Sequence, residues 1–266
     1  MSNWNRPSAP SKWQASPRIT TDPTIANTKS VYAELVAATE WPCGRLIVYV
    51  QTDGVASNDA LVDIAIGASG SEQIICADLI STSIVNCLNV HVYDFPVSIP
   101  RGTRVSCRSQ GTSALADPKV QVELLSPAFG FGGAAPVVTY GANTADSGGV
   151  SVDPGATAGT KGVYSELTAS TTRRHTQLAI GFGGQLNAAR AVALWTVDIA
   201  VGADTAEQVI VPNLRLCSSI QTDLILPSTY SALSVDIPAG SRLSVRAQCD
   251  ITDATDRLFD VVLYGV

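Results

Sequence analysis

Two carboxylates flanking a bond are the side chains a glycosidase works with. Three pairs of acids recur in this sequence: Glu34 and Glu166, Asp63 and Asp198, Glu72 and Glu207. Each pair takes matching places in blocks that occur twice. Lys29-Ser30-Val31-Tyr32-Ala33-Glu34-Leu35 returns as Lys161-Gly162-Val163-Tyr164-Ser165-Glu166-Leu167. Val62-Asp63-Ile64-Ala65-Ile66-Gly67-Ala68 returns as Val197-Asp198-Ile199-Ala200-Val201-Gly202-Ala203, and Glu72-Gln73-Ile74-Ile75 as Glu207-Gln208-Val209-Ile210. An acid duplicated with its block reads as scaffold that bonds a loop backbone or faces solvent, because a site grafted on a fold rarely needs two complete copies in one chain. Asp63, between Val62 and Ile64, points to the opposite side of its strand from them and is at best an interface residue. With no unduplicated acid pair singled out, a polysaccharide-cleaving enzyme is the least favoured reading. The sequence predicts a non-enzyme with no catalytic residue, no cofactor and no stoichiometric metal.

Nucleophilic catalysis needs a Ser or Cys, a base and an orienting group. The two histidines, His91 and His175, occupy different places in the two copies. His91, on the more polar face of its strand, is expected at the surface. The six cysteines show no zinc spacing. None matches a cysteine in the other copy: Cys76 aligns with Val211, Cys107 with Val245, Cys43 with His175. A disulfide inherited with the fold would occur twice, so none was inherited. Cys76 and Cys107 replace core valines and are expected to be buried. Cys43 in the turn Trp41-Pro42-Cys43-Gly44, together with Cys87, Cys217 and Cys249, is expected to be exposed, and some of these four to cross-link neighbouring subunits once released from a reducing cell.

The elements that must carry these residues are strands. A fourth repeated block, Val97-Ser98-Ile99-Pro100-Arg101-Gly102-Thr103-Arg104-Val105-Ser106, returns as Val235 to Ser244, and its Pro-x-Gly steps read as tight turns. Val105 and Cys107, then Val120, Val122 and Leu124, alternate with polar residues, and Phe259, Val261 and Leu263 do the same in copy two. Apolar residues make up 45% and charged residues 15% of 266 residues, enough to bury a large core. The expected fold is all-β: two tandem antiparallel β-sandwich or jelly-roll domains related by duplication. The expected boundaries are an extended N-terminal docking arm at 1–28, sandwiches at 29–126 and 161–266, and a Gly/Ala/Ser/Thr-rich linker at 127–160 with one added strand near Val137 to Tyr140. Trp4 and Trp13 would anchor the arm on another subunit. The net charge of −6 argues against nucleic acid and anionic lipid. No run is long and apolar enough to span a membrane, and the N-terminus lacks a secretory h-region.

Several stretches resemble tailed-bacteriophage virion proteins: Thr139-Tyr140-Gly141-Ala142-Asn143-Thr144, the segment Gly159 to Ser170, Asp63 to Gln73, and Phe95 to Arg104. The resemblance covers both copies, most of residues 17–266, with copy two departing at Val211-Pro212-Asn213. It implies a virion role without saying which one, and the leading expectation is a structural protein made in the host cytoplasm and placed on the particle exterior as a minor capsid, decoration or collar component. Its partners would be capsid, neck or tail subunits and further copies of itself, with Trp4, Trp13 and Trp41 as docking residues. The alternative is a receptor- or glycan-binding module of a phage tail or head fibre, with Trp41 and Tyr93 as the aromatic platform.

Overall fold

The structure, a computed structural model, describes residues 12–52, 58–83, 90–114, 117–126, 136–185, 192–218, 224–251 and 257–266. These residues form strands and no helix. Copy one holds β1 (Trp13–Ala15), β2 (Ile19–Thr20), β3 (Ala33–Val36), β4 (Arg45–Thr52), β5 (Asn58–Ile66), β6 (Gln73–Ser83), β7 (Val90–Phe95), β8 (Val105–Gly111) and β9 (Pro118–Leu125). Copy two holds β10 (Val138–Tyr140), β11 (Val150–Val152), β12 (Ser165–Thr168), β13 (His175–Gln185), β14 (Ala193–Val201), β15 (Gln208–Ser218), β16 (Thr229–Ile237), β17 (Leu243–Cys249) and β18 (Phe259–Gly265). The first sandwich stacks sheet β1-β9-β4-β7, with β2 also on β9, against β3-β8-β5-β6. The second stacks β10-β18-β13-β16, with β11 also on β18, against β12-β17-β14-β15. The strand orders match one for one. With β1/β2 and β10/β11 each counted as one interrupted strand, both units are eight-stranded double-sheet jelly rolls.

The boundaries differ from those expected. Trp13–Ala15 and Ile19–Thr20 pair with Leu125 to Lys119 of their own sheet, so the arm supplies the first strand of copy one. Pro17 separates the two pieces, as a residue with no donor for the ladder must. The linker does the same for copy two through Val138–Tyr140 and Val150–Val152 on β18.

The repeated blocks give the same local structure twice. Gly102 and Gly240 take φ of 77° and 80°, and each donates its N–H at 2.8 Å to a threonine carbonyl, Thr39 or Thr171. Those threonines donate their hydroxyls to Pro100 and Pro238 at 2.7 and 2.8 Å. Arg104 joins Glu34 to Glu72, and Arg242 joins Glu166 to Glu207. Asp63 accepts from Lys29 and Arg108 at 2.8 Å each, and Asp198 from Lys161 and Arg246 at 2.9 and 3.1 Å. A further oxygen contact comes from the N–H of Asp78 or Asn213, at 2.9 Å, where a left-handed residue (φ 54° and 52°) bulges the edge strand. Asp63 therefore points away from the core as expected, yet its cationic partners bury it. Asp63→Ala leaves Lys29 and Arg108 without this partner and is expected to cost roughly 3–5 kcal/mol, against about 0–1 kcal/mol for Glu34→Ala at the half-exposed end of the Arg104 bridge. Urea unfolding of the two variants checks the contrast, and equal losses would contradict it.

The two cores are not separate. Ala179, Val262 and Tyr264 of the second sandwich belong to the first core, closing its side between β6 and β7. The Tyr264 hydroxyl accepts from Ile80 N–H at 2.8 Å and donates to the Asp78 carbonyl at 2.9 Å. The Tyr93 hydroxyl donates to the Ile80 carbonyl. This contact requires glycine at 181, where a Cβ would lie 2.5 Å from the Tyr93 hydroxyl and 2.6 Å from Ile80 Cγ2. Tyr49 stands at the matching place in copy one, so the duplicated faces have diverged to make one seam.

His91 is fully buried at this seam, contrary to the surface position expected. Nε2 lies 3.3 Å from the Phe182 carbonyl and Nδ1 3.3 Å from Ser81 Oγ. Burial pulls its pKa down to about 4. Tyr93 is buried as well, which removes it as an exposed platform. Cys76 and Cys107 are buried, as read from the repeat. Cys43 and Cys249 are also buried, which corrects their assignment as exposed cross-linking thiols, and burial raises the Cys43 pKa to about 11. Cys217 is half-buried and free. Cys87 and Trp4 lie outside the described residues.

Candidate functional site

A cleft of about 710 Å³ opens at the seam, lined by Asp59 and Thr112 of copy one and by Asn143, Asp146, Ser151 and Asp260 of copy two, among others. Strand β5 delivers Asp59 one residue before the buried Ala60. Strand β18 delivers Asp260 between the buried Phe259 and Val261. By strand alternation both acids therefore face away from their own cores. The loop between β10 and β11 brings Asn143 and Asp146. It is tied to copy one by Ser147 Oγ, which donates to Asn27 Oδ1 at 2.8 Å, and by Gln110 Nε2, which donates to the Thr144 carbonyl at 2.7 Å.

The two acids, Asp260 buried and Asp59 partly buried, are built differently. Asp59 Oδ1 accepts from Thr82 Oγ1 at 2.6 Å, and the carboxylate also accepts from the Gly184 backbone across the seam. Asp260 Oδ2 accepts from Gly149 N–H at 2.9 Å. The acids converge around Gly183: a Cβ there would meet Asp260 Cβ at 2.7 Å and Asp59 Oδ2 at 3.6 Å. Burial is the main cause that raises Asp59 to about 6 and Asp260 to about 7. The hydrogen bonds to Asp59 and Asp260 oppose this, while the neighbouring Asp146 raises both and Asp59 also raises Asp260. At near-neutral pH such a pair has a carboxylate beside a carboxylic acid, the combination that base and acid chemistry on one substrate needs. Among the described residues no three His, Cys, Asp or Glu side chains group to hold a metal ion.

Sequence reasoning missed these acids because it weighed the recurring ones. Glu34, Glu72, Asp63 and their counterparts are all engaged in ion pairs and do not line this cleft. The signal that could have found them was the reverse of repetition. Asp59 takes the place of Leu194 and Asp260 that of Lys119, so both acids break the duplication. Of the expected docking residues, Trp13 is 55% exposed and Trp41 is partly buried beneath Lys12, whose Nζ lies 5.8 Å from the ring centroid. Gln14 bonds the turn at Ala38 and Glu40, which sets β1 beside Trp41.

No protein-family model and no curated protein matches the sequence. Solved structures of similar overall fold include PNGF-II, at TM-score 0.40 and 9% identity over 95% of this chain and 65% of that one. They also include PNGase F, a glycosylasparaginase from Flavobacterium meningosepticum, at 0.36 and 12% over 96% of each chain. A tandem CBM22 pair from Paenibacillus barcinonensis Xyn10C scores 0.27 at 12% identity, over 97% of this chain and 92% of that one. This chain thus spans just under two thirds of PNGF-II, and the likeness extends to general architecture alone. The expectation of a non-enzyme is corrected here. Its ground, the want of an unduplicated acid pair, does not hold for Asp59 and Asp260, which meet in one cleft.

Proposed function

We propose that the chain is a glycan-directed hydrolase of the two-carboxyl class. The observation that carries this reading is the meeting of Asp59 and Asp260 in the seam cleft, both holding protons toward neutral pH. Asp260, the higher of the two, donates a proton to the departing glycosidic oxygen. Asp59, ionised first, takes a proton from the attacking water or itself attacks the anomeric carbon, and water completes the cleavage. Among the described residues no Lys or Arg lines the cleft, so its chemistry suits a neutral, hydroxyl-rich ligand rather than a phosphate or an acidic sugar. A panel of neutral polysaccharides assayed for reducing-end release tests this. The expected result is a bell-shaped pH dependence with limbs near the two pKa values. Absence of both hydrolysis and binding across the panel, with the fold intact, counts against the reading.

A second observation supports the docking part of the virion reading that the resemblance implies. Trp13, on a short edge strand beside Trp41, exposes more than half of its surface. Large exposed aromatics of this kind serve as interface anchors. On this reading the chain is an exterior virion component held through Trp13, with the seam cleft turned to its ligand. Particles assembled with Trp13→Ala are expected to lack the chain, and normal incorporation would count against the docking role.

A further inference from the structure

The seam has an uncovered counterpart on the second sandwich. In copy one the side between β6 and β7 is closed by copy two, and Ile75, Leu79, Phe95 and Val97 are at most 6% exposed. Their counterparts between β15 and β16, namely Ile210, Leu214, Leu233 and Val235, are all only partly buried. The strand order is the same, with β16 bulged at Ala232 (φ 58°) where β7 runs regular. Tyr230 donates to the Arg215 carbonyl at 2.7 Å, as Tyr93 donates to that of Ile80.

We propose that this strip is a docking groove for the sheet face of another β-sandwich protein. That face has small side chains opposite Tyr230 and a hydroxyl or carboxylate opposite Arg215. The internal seam is the template: there the occupant of the equivalent side is a sheet face with Gly181 opposite Tyr93 and Tyr264 opposite Ile80. The occupant is not a second copy of this chain. Its own equivalent face, on copy one, carries Tyr49 and Gln51 where the seam has Gly181 and Gly183, and the seam leaves no room even for a Cβ at 181. The groove edge is also guarded. Pro212 stands where copy one has Ala77, and Arg215 where it has Ile80. Proline and charge on a free edge discourage indiscriminate strand addition, so side-chain fit does the selecting.

The probe is the chain itself with the small residues of the seam moved onto copy one, Tyr49→Gly with Gln51→Gly. Copy one already has Glu123 where the seam has Tyr264, which places a carboxylate opposite Arg215. Sedimentation of the folded double variant is expected to show head-to-tail oligomers with at least tenfold tighter self-association than the unchanged chain. Adding Leu214→Asp returns it to monomer. Tyr49→Gly alone, which keeps the Arg18–Gln51 bond, is the milder variant should the pair not fold. A folded variant that stays monomeric overturns the proposal, as do oligomers that survive Leu214→Asp. Self-association of the unchanged chain that Leu214→Asp abolishes overturns the exclusion of a second copy.

Discussion

Tyr264→Ala is expected to destabilise the whole chain by about 3–5 kcal/mol, the range for truncating a buried aromatic. The ring belongs to a strand of the second sandwich but packs in the first core, 5.2 Å from Tyr93 and 6.0 Å from Phe95 in edge-on geometry. Its hydroxyl satisfies two groups of the β6 edge, Ile80 N–H and the Asp78 carbonyl. Truncation therefore opens a cavity and orphans a buried donor. Because the lost contacts are in copy one and the mutated residue is in copy two, the two sandwiches should lose stability together. Calorimetry and intrinsic fluorescence report this as one transition moved to lower temperature. Tyr264→Phe keeps the ring and loses only the hydroxyl, so it should retain most of the stability. A loss below about 1 kcal/mol for alanine, or a loss confined to the second sandwich, would mean that the seam is a mere contact and not part of a shared core.

The same seam explains which features were legible in the residues. Strand alternation, the duplicated blocks and the Pro-x-Gly turns are local signals, and each maps onto a strand or a turn of the structure. Of the first jelly-roll strand of each copy only Val138–Tyr140 was legible; the other pieces are two or three residues long beside a break at Pro17 or at the 141–149 loop. Periodicity assigns a residue to a face of its strand but says nothing of what covers that face. His91 reads as polar surface in the first copy alone, and is buried because the second copy lies against it through Phe182. Cys43 reads as an exposed turn and is buried, its backbone paired with Ile99 just beyond the β4–β7 ladder of the same sheet. The acid pair was hidden for a related reason. Asp59 and Asp260 lie far apart in the chain and belong to different sandwiches. Only the docking of one copy on the other brings them together, and it was the divergence of Tyr49 and Gln51 from Gly181 and Gly183 that made room for it.

Asp260→Asn is expected to do two opposite things. It removes the proton donor of the proposed site, so cleavage should fall by on the order of 10²–10⁴-fold while binding of a neutral glycan persists. It should also stabilise the fold, and only at higher pH. The Asp260 carboxyl is raised from its ordinary 3.8 to about 7 in the folded chain, chiefly by burial. Between these values the folded state binds more protons than the unfolded one, so this group's stabilising contribution is complete below about pH 4 and is lost as pH rises through 7. Every tenfold difference in proton affinity between the folded and unfolded chain corresponds to about 1.4 kcal/mol. Asparagine has no charge to bury, and its amide oxygen can still accept from Gly149. The variant should therefore match the parent near pH 4 and melt progressively higher than it as pH rises toward 8. Asp59→Asn should behave alike but with a smaller gain, since Asp59 is raised only to about 6. His91 sets the acid side in the opposite sense: its pKa falls from 6.5 to about 4, so its contribution is present above 6.5 and is lost as pH falls through 4. Melting temperature measured from pH 3 to 9 should therefore fall for the parent between about pH 4 and 7, and Asp260→Asn should flatten that limb. A scaffold carboxylate held by ion pairs behaves the other way round, losing stability on amidation at every pH above its pKa. If Asp260→Asn destabilises at pH 8, Asp260 is one of those, and the strain that marks a working acid is not stored at this seam.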